Sequence, residues 1–141
     1  MKLGLDIHGV IDQDPEFFRK LTTRILNLGQ GHEIHIITGE RWQQSLFQPL
    51  AAAGVLWTNH FSITDYHVEI GTPIEWIDDD MNQPLIENLL WDSTKALYCN
   101  RVGIDVHFDD SWTYRKYFGN IPTQYIVWTP GAKTFIEAIT L

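Results

Sequence analysis

At 141 residues the chain has the length of one domain, and its single cysteine, Cys99, excludes a disulfide within it. No stretch approaches the roughly 18 apolar residues of a membrane span, and the opening MKLGLDIHGV lacks the apolar core of a secretory signal, so a cytoplasmic, membrane-free protein is expected. A formal net charge of −8 disfavours duplex nucleic acid as a partner and admits a small anionic substrate only where a cation offsets the repulsion.

Residues 2–7 (KLGLDI) read as a buried strand, with Asp6 near its end. Asp14 then caps a helix with Pro15 at its first position; Phe18, Leu21, Ile25 and Leu28 recur at helical spacing, and Gly29 ends it. Residues 33–38 (EIHIIT) read as a second strand closing on Thr38 and Gly39. Residues 40–54 read as a helix with Trp42, Leu46 and Leu50 on one face, which Pro49 is expected to kink or break. Residues 61–64 suggest a short third strand. Between Asp65 and Trp91 the pattern supports only a small hairpin turning around Asp79–Asn82, and Asp78, Asp79 and Asp80 read as a solvated turn in preference to a metal site.

Residues 92–103 read as a helix capped by Asp92 or Ser93 and closed by Gly103. Residues 104–110 (IDVHFDD) read as a strand with Ile104, Val106 and Phe108 alternating, followed by a short helix over 111–119. Residues 124–129 form a last strand and 131–141 a closing helix. The six tryptophans read as packing groups, Trp76, Trp91 and Trp112 included.

Strands alternating with helices predict an α/β fold, a Rossmann-like three-layer sandwich around a mostly parallel sheet of about five strands. One domain spans 1–141, with 65–91 as a small insert or lid. Ligands of such sheets bind beyond the carboxyl ends of the strands. Asp6, Thr38 and the pair Asp109-Asp110 all fall at strand ends and are expected to share that edge.

Asp6, Thr38, Lys95 and Asp109-Asp110, in this chain order, resemble the four motifs of the haloacid dehalogenase-like superfamily: DIHGV for the first, IITG for the second, Lys95 for the third and HFDDS for the fourth. The stretch WDSTKALYCNRVGIDVHFDDS is most similar to small nucleotidase-like and hydrolase-like members. The resemblance implies a minimal-cap, Mg²⁺-dependent phosphomonoester hydrolase acting on a small phosphorylated substrate. It makes Asp6 the nucleophile that becomes an aspartyl-phosphate, and places Mg²⁺ on Asp6, the backbone carbonyl of His8, and Asp109 or Asp110. Lys95 and the Thr38 hydroxyl would bind phosphoryl oxygens, and Gly9 would let the chain turn tightly beneath the substrate.

Physical chemistry supports this division of labour. A carboxylate attacks a phosphate ester only when the phosphoryl charge is neutralised and the groups are held in line. Adjacent carboxylates repel each other unless a cation sits between them. Each residue also has an ordinary reading. Asp6 can cap a turn, Thr38 can belong to a strand-to-helix turn, Lys95 can be a solvated group in a helix's first turn, and Asp109 or Asp110 can cap the next helix.

His8 departs from the pattern, since phosphatases of this superfamily usually carry a second aspartate there to protonate the leaving oxygen and activate water. An imidazole titrates near neutral pH and can exchange protons, but it is bulkier than a carboxylate, and a nearby Mg²⁺ favours its neutral form. Three readings follow: a substitute acid/base in a working phosphatase, a weak or altered phosphoryl-transfer enzyme, or a degenerate site kept for binding or regulation. The remaining candidates read as structural. His32 and His35 are expected on opposite sides of a strand, His107 as a satisfied sheet residue and Cys99 as an inert buried thiol.

Overall fold

The computed structural model describes residues 1–138; the end of the helix expected over 131–141 lies outside the described residues. Five parallel strands form the central sheet: β1 (Lys2–Leu5), β2 (Glu33–Thr38), β3 (Asn59–Ser62), β6 (Val106–Asp109) and β7 (Gln124–Val127), in the order β3-β2-β1-β6-β7. A separate two-stranded antiparallel hairpin, β4 (Glu75–Trp76) and β5 (Pro84–Leu85), stands where the sequence places one.

Helices cover both faces of the sheet. On one face α1 (Pro15–Asn27), α2 (Gln44–Ala52) and α5 (Ala132–Ala138) meet a core built from Leu3, Leu5, Ile34, Ile36, Val106 and Phe108. On the other, α3 (Ile63–Ile70) and α4 (Asn88–Val102) pack with Ile37, Phe61, Cys99 and Phe118. The chain moves outward from β1 through β2 to β3, then crosses back to β6 on the other side of β1. With crossovers of constant hand, that reversal puts α4 on the face opposite α1 and α2. It also makes the β1–β6 boundary the topological switch point.

Several boundaries differ from the sequence expectation. The third strand ends at Ser62, because Ser62 caps a helix the apolar pattern does not reveal: its Oγ accepts from the Asp65 amide at 3.0 Å, and α3 runs to Gly71, whose φ is +76°. Helix α4 starts before Asp92; the exposed Glu87 carboxylate accepts from the Leu89 and Leu90 amides and caps it. Helix α2 starts at Gln44 and runs through Pro49. Pro49 and Ser45 both lie on the exposed side, so the hydrogen bond that the missing N–H forfeits is not lost in the core. The segment after Asp110 forms only a 3-10 turn, Arg115–Phe118.

Candidate functional site

β1 ends at Leu5, but its pairing with β6 continues: the Asp6 amide donates to the Phe108 carbonyl at 3.0 Å, which fixes the Asp6 backbone at the switch point. By strand alternation Gly4 and Asp6 share the α4 face with His107 and Asp109. Asp6 is buried, and Asp109 is fully buried. The chain then folds back, with the Ile11 amide donating to the Asp6 carbonyl and Gly9 at φ +80°. A Cβ at Gly9 would lie 2.1 Å from Oδ2 of Asp110, so this glycine makes room for that carboxylate.

Lys95 is not a solvated first-turn group. Because α4 begins at Asn88, Lys95 sits about two turns in, facing the sheet and only 2 % exposed. Its Nζ lies 2.6 Å from Asp109 Oδ2 and 3.2 Å from Asp6 Oδ1, and 5.2 Å from the Tyr114 ring centroid. Burial opposes its charge, but Asp6 and Asp109 outweigh burial and hold its pKa above the ordinary lysine value.

One oxygen each from Asp6, Asp109 and Asp110 gather within 4.8 Å of one another. Three carboxylates gather against one ammonium, and burial and charge move their pKa values in opposite directions. Burial, with the Asp109 and Asp110 charges, outweighs Lys95 and pushes Asp6 up to about 7. For Asp109, burial is overcome by the His107 hydrogen bond and by Lys95, which hold it below the usual carboxylate range. The donor set is all oxygen and electron-rich, which fits a hard divalent cation such as Mg²⁺. The His8 carbonyl accepts no hydrogen bond among the described residues. The Asp78–Asp80 run serves a different purpose: Asp78 Oδ1 accepts from the Asn82 and Gln83 amides and holds the hairpin turn.

Thr38, at the end of β2, is buried, and its Oγ1 accepts from the Glu40 amide at 3.3 Å. Together Asp6, His8, Thr38, Lys95 and Asp110 line one cleft of about 380 Å³. Its other wall comes from Asn82, Gln83 and Pro84 of the hairpin, with Trp91 and Tyr114. Trp91 donates through Nε1 to the Tyr114 hydroxyl at 3.0 Å and packs where a Cβ on Gly39 would stand, so it is a cleft residue as well as a packing group. Arg41 ties the hairpin to the loop after β2, donating to the Met81 carbonyl and to Asp65, each at 3.1 Å.

His8 stands at the cleft mouth with its side chain 58 % exposed. Nδ1 lies 3.1 Å from Asp12 Oδ2, and Nε2 lies 2.8 Å from Glu40 Oε1. Burial lowers its pKa, but the Asp12 hydrogen bond and the Glu40 and Asp12 charges raise it above the ordinary histidine value. Glu40 escapes sequence reasoning because it reads as helical, whereas residues 39–43 form a loop that carries it to His8.

His107 corrects its expectation by half. Its Nε2 is satisfied by Asp109 Oδ2 at 2.9 Å, but the buried Nδ1 has no hydrogen-bond partner among the described residues. Cys99 is buried, and burial pushes its thiol up to about 12, as an inert cysteine requires. His35 is buried between the Tyr98 hydroxyl and Glu33, and His32 Nδ1 meets the Met1 amine.

In comparisons with known proteins, no family model, curated protein or solved structure matches this chain. No helix among the described residues is long and apolar enough to cross a membrane.

Proposed function

We propose that this chain is a Mg²⁺-dependent phosphomonoester hydrolase of the haloacid dehalogenase-like type, working through an aspartyl-phosphate on Asp6. The observation that carries the reading is the convergence of Asp6, Asp109 and Asp110 around Lys95 at the switch point of a parallel sheet. Three chain segments meet there, and Thr38, from a fourth, lines the same cleft.

Bound by Asp6, Asp109, Asp110 and the His8 carbonyl, Mg²⁺ would neutralise phosphoryl charge and keep Asp6 ionised. Lys95 and the Thr38 hydroxyl bind phosphoryl oxygens and hold the ester in place. An Asp6 carboxylate oxygen attacks phosphorus as the bond to the alcohol oxygen breaks, and His8 gives that oxygen a proton. Water then attacks the aspartyl-phosphate, His8 takes its proton, and phosphate leaves with the Asp6 carboxylate restored. Asp12 and Glu40 on the two ring nitrogens support the imidazolium form that the first step needs. Trp91 and Tyr114, with the Asn82 and Gln83 side chains lining the same cleft, suit a flat base with polar edges, so nucleoside monophosphates lead the substrate panel.

The test is phosphate release from a panel of monoesters with and without Mg²⁺. The wild type is expected to turn over in Mg²⁺ alone, Asp6→Asn to be inactive, and His8→Ala to lose about 10²-fold in kcat. A silent wild type that gains activity on His8→Asp overturns the catalytic reading in favour of a degenerate site. A wild type with neither phosphate release nor Mg²⁺ binding ends the phosphoryl reading altogether.

A further inference from the structure

We infer that His107 is a positioning residue that sets the metal-binding geometry of Asp109 from inside the sheet, and that Gly4 exists to admit it. The inference rests on the proposed Mg²⁺ site.

His107 lies in the middle of β6, fully buried, on the face that carries the site. Its register partner on β1 is Gly4. A Cβ on Gly4 would stand 2.7 Å from His107 Nδ1 and 2.9 Å from Ile37 Cδ1, both closer than real contacts allow, so glycine leaves room for the ring beside Ile37. The ring is also stacked on Phe118, with centroids 5.9 Å apart and planes 11° apart. Strand, neighbour and ring stack together leave the imidazole one direction in which to present a donor. That donor is Nε2–H, 2.9 Å from Asp109 Oδ2.

Nε2 faces Asp109 Oδ2, an acceptor, and so serves as the donor, while Nδ1 has no hydrogen-bond partner among the described residues. Burying an unpaired acceptor costs free energy that an apolar side chain would avoid. Packing alone does not explain a histidine here; its hydrogen bond to Asp109 does.

The bonds on Asp109 define what the carboxylate has left to offer. Oδ2 receives Lys95 Nζ and His107 Nε2, two donors on one oxygen. Among the described residues Oδ1 receives only the Ser111 amide, at 3.2 Å. With Oδ2 doubly held, the rotation of the carboxylate is fixed, and Oδ1 keeps a lone pair for a cation shared with Asp6 and Asp110. Lys95 alone cannot do this, because its ammonium also serves Asp6. A rigid ring anchored in the sheet supplies the second point of attachment. Groups that orient metal-ligating carboxylates in this way typically change metal affinity by about 10–100-fold when removed.

The experiment is titration of the full chain with Mg²⁺ by isothermal calorimetry, with the thermal midpoint of each metal-free protein recorded alongside. His107→Phe keeps a stackable, somewhat larger ring and deletes the donor. His107→Gln retains an N–H donor, and Gly4→Ala leaves every hydrogen-bonding group in place while displacing the ring. Mg²⁺ affinity is expected to fall about 10-fold or more in His107→Phe and in Gly4→Ala, and less in His107→Gln, at temperatures well below each midpoint. Lower midpoints with wild-type Mg²⁺ affinity in the folded variants would make His107 a packing residue and overturn the inference while leaving the proposed function standing. Should His107→Phe fail to fold, Gly4→Ala decides the matter by the same criterion. A wild type that binds no Mg²⁺ overturns the inference together with the reading it rests on.

Discussion

Gly9 and Asp110 share a space that only one side chain can fill. With φ at +80° and Asp110 Oδ2 where a Cβ would stand, Gly9→Ala combines backbone strain with displacement of a carboxylate from the cluster. It is expected to destabilise the protein by about 1–3 kcal/mol, measured by chemical denaturation, and an unchanged midpoint would show that the loop relaxes freely. Asp6, Thr38 and Asp109 could be read from the sequence because each ends an apolar run, and strand ends of one parallel sheet must share an edge. Lys95 could be found only by motif order, since its burial depends on where α4 begins. Glu40, and the contacts that His107 makes, could not be found at all. Their partners, His8 in one case and Gly4 with Asp109 in the other, are set by a loop conformation and by β1–β6 register, which no local pattern encodes.

Among the elements, the strands and α1 follow from their sequences because apolar periodicity and a capped start agree there. Asp14 accepts from the Phe17 amide, and Pro15 takes the first helical position. Helix α3 was hidden for a physical reason: at eight residues it is too short to display a clear apolar stripe. Its one local signal is the Ser62-Ile63-Thr64-Asp65 start, a capping-box pattern, with Gly71 at the end. That cap matters to the cleft, because Thr64 Oγ1 donates to the Gly39 carbonyl at 2.6 Å and Asp65 holds Arg41 and the Trp42 amide. Ser62→Ala is therefore expected to cost about 1 kcal/mol in equilibrium denaturation, with a loss under about 0.3 kcal/mol counting against the cap as the anchor of this element. In α4, Glu87 is an uncommon capping residue, so the sequence points to a later start at Asp92 or Ser93 and to Lys95 in the first turn.

Taken as a molecule, the chain carries a net charge of −8 and concentrates Asp6, Asp12, Glu40, Asp109 and Asp110 at one edge of its sheet. Such an edge repels phosphate esters unless a divalent cation reverses the local field, so topology and charge together make the proposed chemistry metal-dependent. The sheet order β3-β2-β1-β6-β7 puts Asp6 and Asp109 side by side at the reversal point, which is why residues far apart in the chain meet in one cluster. The central claim is that Asp6 takes the phosphoryl group. It is tested most directly by brief reaction with 4-nitrophenyl phosphate in Mg²⁺, acid quenching, borohydride reduction of the acyl phosphate and peptide mass spectrometry. Homoserine at position 6 is expected in the wild type and more of it in His8→Ala, where water attack is slowed. Phosphate release without any homoserine at position 6, or label at a different residue, would contradict the account.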